Sequence, residues 1–116
     1  MLCWPAGTNT NTAFKKAFAE VNGDRLRPNF MAAAGYDGMA AIYEALKKTG
    51  GSTDAEKLIA AMKGMKIASP RGPIMIDPET RDVVQTVYIR KVEKVGGGLY
   101  NVEFDKFPDQ KDPGKK

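Results

Sequence analysis

Histidine is missing from the 116 residues, and cysteine occurs once, at Cys3. Without histidine the commonest general base is gone, together with every His/Cys metal site, and one cysteine cannot close an internal disulfide. Cys3 reads as an incidental free thiol and says nothing firm about redox compartment. No run approaches the roughly 20 apolar residues of a membrane span. Met1 to Gly7 lacks the basic and apolar regions of a secretory signal, so the sequence as written shows no export route of its own. Charge of one sign is also not concentrated anywhere. The net charge is +4 and the pI about 9.2, but lysines and arginines are interleaved with acids, and the only dense basic stretch is Lys111, Lys115 and Lys116. A nucleic-acid surface needs a one-sided basic patch with aromatic stacking partners, so nucleic acid is not an expected partner.

What is present suits a globular chain. The hydrophobic fraction is 42%, with one Trp, four Tyr and five Phe, well above what a disordered segment carries. The length allows one compact domain and not two, burying roughly 65% of its surface.

Periodicity divides the chain. Residues 1–11 read as a loop ending in N-cap residues. From Thr12 to Val21, Phe14, Ala17, Phe18 and Val21 recur at helical spacing, and Asn22-Gly23 supplies a stop. A second helix follows the small residues 32–35. Tyr36, Met39, Ala40, Tyr43 and Leu46 mark its apolar stripe, and Lys47, Lys48 and Gly50-Gly51 end it. A third opens at Ser52-Thr53, where Thr53 and Glu56 have capping-box spacing, with Leu58, Ile59, Met62 and Met65 as its stripe.

The period then changes from helical to extended. Ser69-Pro70-Arg71-Gly72-Pro73 is a stiff connector to the short strand Ile74-Met75-Ile76, which ends in the turn Asp77-Pro78-Glu79-Thr80. Val83 to Val95 is a long strand, Gly96-Gly97-Gly98 reverses the chain, and Leu99 to Phe104 returns. Residues 108–116 read as a mobile tail. Three helices, a strand and a hairpin contain no complete βαβ unit, and so short a sheet needs a neighbour. The elements point to partner surface that the chain does not carry.

The chemistry-bearing residues are few. The glycine triplet opens no helix, so it is a hairpin turn and not a phosphate loop. Asp77, Glu79 and Asp82 lack calcium-loop spacing and read as a solvated turn paired with Arg81, with no metal. Arg71 either reaches a carboxylate bidentately or is an exposed loop arginine. Met31 lies in a loop before a helix, where ligand contacts gather, and Tyr36 aims its phenol into a cleft or packs with its hydroxyl at a rim. Nothing assembles a nucleophile, a base and an oxyanion site, so no enzyme is expected.

The segments together resemble a known family. Phe14-Lys15-Lys16-Ala17-Phe18, Ala34-Gly35-Tyr36-Asp37-Gly38-Met39, Ala45-Leu46-Lys47-Lys48-Thr49-Gly50-Gly51 and Leu58-Ile59-Ala60-Ala61-Met62-Lys63-Gly64 stand in an order and spacing similar to type I substrate-binding proteins of branched-chain amino acid ABC transporters. The similarity continues through Ser69 to Thr80 and Val87-Tyr88-Ile89-Arg90-Lys91-Val92, covering residues 12–107. It implies an α/β fold, the C-terminal portion of the type I periplasmic-binding-protein fold, with about three helices, a short strand and a β-hairpin in one incomplete domain over 1–116.

The family's two lobes hold a ligand in their cleft and close by a hinge. The resemblance implies a small solute (an amino acid, or another small carboxylate or amide), ABC permease subunits as partners, a periplasmic location, and neither cofactor nor metal. It places Met31, Ala33 and Tyr36 near the cleft. Two other readings remain open: a module that self-associates through exposed strand edges, and a sensory ligand-binding domain.

Overall fold

The computed structural model describes residues 9–114; Cys3, Lys115 and Lys116, and the expected loop over residues 1–8, lie outside them. Three helices, α1 (Asn9–Asn22), α2 (Phe30–Lys48) and α3 (Ala55–Met62), precede four strands, β1 (Lys66–Ser69), β2 (Gly72–Ile76), β3 (Val83–Val95) and β4 (Gly98–Gln110). The strands form one antiparallel sheet in the order β1-β2-β3-β4.

Several boundaries differ from the sequence reading, each for a local reason. Residues 9–11 belong to α1 and not to a loop. α2 begins at Phe30, because the Asn29 side chain accepts the Ala32 amide at 3.0 Å and the residues that follow are good helix formers. Met31 therefore sits in the first turn of a helix and not in a loop. Asp54, not Thr53, caps α3 by accepting from the Lys57 amide at 3.0 Å, while Ser52 Oγ holds the Asp54 amide. The connector after α3 contains an additional strand, β1, in which Ile67 and Ser69 are buried and Lys66 and Ala68 exposed. The return strand runs on to Gln110, which pairs with Gln85 beyond an irregularity at residues 108 and 109, so residues 108–110 belong to the strand and not to a tail. Pro108 fits there because β4 is an edge strand.

The buried face of α2 is Ala33, Asp37, Ala41 and Ala45, repeating every four residues. Their small side chains bring the helix close to the sheet, and Ala41 and Ala45 meet Met65, Ile67 and Ile74 in the main core, edged by Leu58, Met62 and Ile76. A second cluster joins Phe14 of α1 to Ala33, with Phe18 and Ala32 beside it. The stripe marked by Tyr36, Met39 and Tyr43 is largely exposed.

β2 and β3 pair only at Met75↔Val84 and Ile76↔Val83. The amide and carbonyl of Ile76 bond on the β1 side, to Met65 and Gly64, so the backbone groups of residues 75 and 73 face β3. Pro73 has no N–H to offer there, and the ladder stops. Beyond it β3 and β4 continue as a two-stranded ribbon, closed by Gly96 and Gly97 with φ of 56° and 84°, the geometry of a two-residue hairpin turn that favours glycine. The ribbon stretches the molecule to 50 × 36 × 20 Å with a radius of gyration of 16.0 Å, against about 13 Å for a compact chain of this length.

Candidate ligand-contact site

The turn between β1 and β2, residues 69–72, is where the other elements meet. From α1, the buried Asn11 donates through Nδ2 to the Pro70 carbonyl at 3.0 Å. From α2, Asp37 Oδ2 accepts from Ser69 Oγ at 2.8 Å and from Arg71 Nε at 3.0 Å, with Arg71 Nη2 also 3.0 Å away. Asp37 Oδ1 is buried and accepts from none of the described residues, so Oδ2 receives all these donors. From β3, Gln85 Oε1 accepts from Arg71 Nη1 at 2.8 Å, and the Tyr88 hydroxyl donates to the Arg71 carbonyl at 2.9 Å. Arg71 is thus not an exposed loop arginine: its side chain is 20% accessible, that of Asp37 7%, and the pair satisfies a charge that burial alone would penalise.

Around this hub lie two concave surfaces. On one side of α2, a groove of about 440 Å³ runs along α1 between Phe14, Phe18, Val21, Ala32, Tyr36 and Met39. The Tyr36 ring meets Phe14 edge-on at 5.1 Å between centroids. On the other side, a recess of about 220 Å³ lies along β3 where the ladder has ended. Phe30, Arg71, Gln85, Tyr88 and Arg90 line it, with Thr86 and Val87. The Arg90 guanidinium sits 5.4 Å from the centre of the Tyr88 ring.

The three residues expected near the cleft share the first two turns of α2 but not one surface. Met31 is 66% exposed and Tyr36 43%. They stand about 140° apart around the helix axis. Ala33 is fully buried against Phe14 and fixes the spacing of α1 and α2. The sequence reading missed the joint role of Ser69, Gln85 and Tyr88. Its one available signal was Asp37, a lone acid in an alanine register, which needs a buried donor.

Asp77 is likewise not part of a solvated turn. It is buried; Oδ1 accepts the Glu79 and Thr80 amides at 2.8 and 3.2 Å, and Oδ2 lies 2.7 Å from Lys111 Nζ. The Lys111 ammonium first, and then the two amides, hold its carboxyl at about 2, below the usual range, while Asp77 raises the Lys111 ammonium. Arg81, expected to pair in this turn, instead takes a left-handed backbone at φ 65°, with its amide donating to the Asp77 carbonyl. Among the described residues no helix is long and apolar enough to cross a membrane.

Three helices on a four-stranded antiparallel sheet, with hollows that open outward, form an α/β fragment. The chain belongs to the periplasmic binding protein family, which it matches over residues 2–98. It is 42% identical over 107 residues to Leu/Ile/Val-binding protein homolog 6 of Brucella abortus (strain 2308), covering 91% of this chain and 27% of that protein.

It also superposes on two solute-binding proteins of ABC transporters from Rhodopseudomonas palustris. One, from strain BisB5 and in complex with 3,4-dihydroxybenzoic acid, is 60% identical with a TM-score of 0.89, covering 96% of this chain and 30% of that one. The other, in complex with 4-hydroxybenzoate, is 43% identical with a TM-score of 0.86, covering 94% and 30%. The chain spans less than a third of the length of these relatives, which are solute-binding proteins and not enzymes.

Proposed function

We propose that this chain is the C-terminal part of a solute-binding protein for ABC-transporter uptake, working in the periplasm with permease subunits, and that its solute is an aromatic carboxylate of the hydroxybenzoate class. The observation that carries the reading is the 60% identity and TM-score of 0.89 with a relative that holds 3,4-dihydroxybenzoic acid. Among the amino acids and other small carboxylates or amides expected from the sequence, that likeness favours an aromatic carboxylate. Met31 supplies an accessible contact at the start of α2, Ala33 sets the position of that helix against α1, and Tyr36 stands in the α1 groove on another side of the helix. Self-association through strand edges draws no support from β4, whose outer part carries Asp105, Lys106 and Pro108, residues that oppose the addition of a further strand.

The test is to graft residues 12–107 in place of the matching segment of the BisB5 relative and to titrate the product by calorimetry. Binding of 3,4-dihydroxybenzoate or 4-hydroxybenzoate in preference to leucine, weakened several-fold by Met31→Ala, is the expected result. A folded graft that prefers leucine, or that binds none of the three, overturns the proposal.

A further inference from the structure

We infer that the recess between the first turn of α2 and β3 is a subsite for the carboxylate of a small aromatic acid, gripped by Arg71 and Arg90. This rests on the reading of the solute as an aromatic acid and adds the groups that hold its charged end.

Three features carry the inference. First, the recess holds two guanidinium groups, and no Asp or Glu lines it. The planar fork of an arginine matches a carboxylate bidentately. Second, Arg71 is held in place before any ligand arrives. Of its five N–H donors, those on Nε and one on each terminal nitrogen are directed at Asp37 and Gln85, which leaves one on Nη1 and one on Nη2. A guanidinium fixed by its neighbours loses little entropy on binding. Third, the Phe30 ring is 59% exposed at the mouth of the recess, an apolar face against which an aromatic ring can pack.

The same charges discriminate. No acid lines the recess to receive the α-ammonium of an amino acid, whereas a benzoate presents only a ring there. Arg90 already has a partner within the chain, with which an incoming carboxylate competes.

The experiment is an NMR titration of the 116-residue chain, because the recess is built from this chain alone. The ligands are 4-hydroxybenzoate, 4-hydroxybenzyl alcohol and leucine. We expect 4-hydroxybenzoate to shift resonances of Phe30, Tyr88 and the two arginines. The uncharged alcohol and leucine should bind at least about tenfold more weakly, and Arg90→Gln should weaken 4-hydroxybenzoate by about tenfold. Phe30→Ala, an exposed position that spares the ion pair, should also weaken it, whereas Val21→Ala on the far groove should not. Absence of saturable shifts at the recess, or equal binding of 4-hydroxybenzoate by wild type, Arg90→Gln and Phe30→Ala, overturns the subsite. Hydroxybenzoate binding by the grafted protein together with a silent recess would leave the solute class standing and remove only this inference.

Discussion

Arg71 and Asp37, 34 positions apart in sequence, meet with Nε and Nη2 each 3.0 Å from one carboxylate oxygen. That contact ties the β1–β2 turn to the second turn of α2, and Gln85 extends it to β3. Removing the arginine strands a buried carboxylate, so Arg71→Ala should cost about 3 kcal/mol, the low end for such a break because one partner is partly exposed. The double change Asp37→Leu with Arg71→Met removes both charges and should cost clearly less than the sum of the two single changes. Urea unfolding of the four proteins decides this; additive losses would show that the pair is not coupled.

Gly72 has a φ of 103°, and a Cβ placed on it would lie 2.7 Å from the Tyr88 hydroxyl. Gly72→Ala therefore combines backbone strain with a clash and should cost about 1–3 kcal/mol. Tyr88→Phe alone forfeits the hydrogen bond to the Arg71 carbonyl, worth about 1 kcal/mol. In the combined variant the clash disappears and the φ strain stays, so the double mutant should be more stable than the sum of the singles predicts. Denaturant midpoints for the three variants measure the two parts separately.

The sequence disclosed what local chemistry determines. The third helix, the long strand 83–95 and the glycine reversal follow from periodicity and turn residues that neighbours do not alter. It misled where tertiary context chose between two faces of one helix. The larger apolar residues Tyr36, Met39 and Tyr43 of α2 outrank alanines by hydrophobicity, yet the alanines are buried because only they permit close approach to β1. β1 escaped notice because four residues give too short an alternation. The cluster of Asp37, Ser69, Arg71, Gln85 and Tyr88 could not be read at all, since its members come together only once the sheet has formed.

Asp77 and Lys111 couple the β2–β3 turn to the end of β4 in a pH-dependent way. The folded Asp77 carboxyl titrates at about 2, below its ordinary 3.8. The fold therefore favours the charged form, and its contribution to stability is complete above pH about 4 and lost as pH falls towards 2. Lys111 is raised above 10.5, so its share is present below that pH and lost as pH rises through the folded value. In Lys111→Met the loss of stability between pH 4 and 2 should shrink but persist, because the Glu79 and Thr80 amides still hold the carboxylate. Urea midpoints measured from pH 2 to 7 for both proteins test this. An unchanged acid slope in the variant would mean that Lys111 does not set the Asp77 titration.

The two faces of α2 make opposite predictions about substitution. Ala45 is fully buried against the sheet, packed with Met65, Ile67 and Ile74. Ala45→Leu adds three heavy atoms where the backbone-to-sheet spacing has no room, and should cost about 1–3 kcal/mol. Tyr43 and Met39, 57% and 46% exposed on the other side, have no comparable burial to lose. Tyr43→Glu and Met39→Glu should each change stability by within about 0.5 kcal/mol, while breaking up an apolar face that promotes aggregation. Paired measurements of urea midpoint and solubility limit check both halves. If the glutamate variants lose several kcal/mol while Ala45→Leu is neutral, then the helix buries the Tyr36–Met39–Tyr43 face in solution and the alanine register is the exposed one.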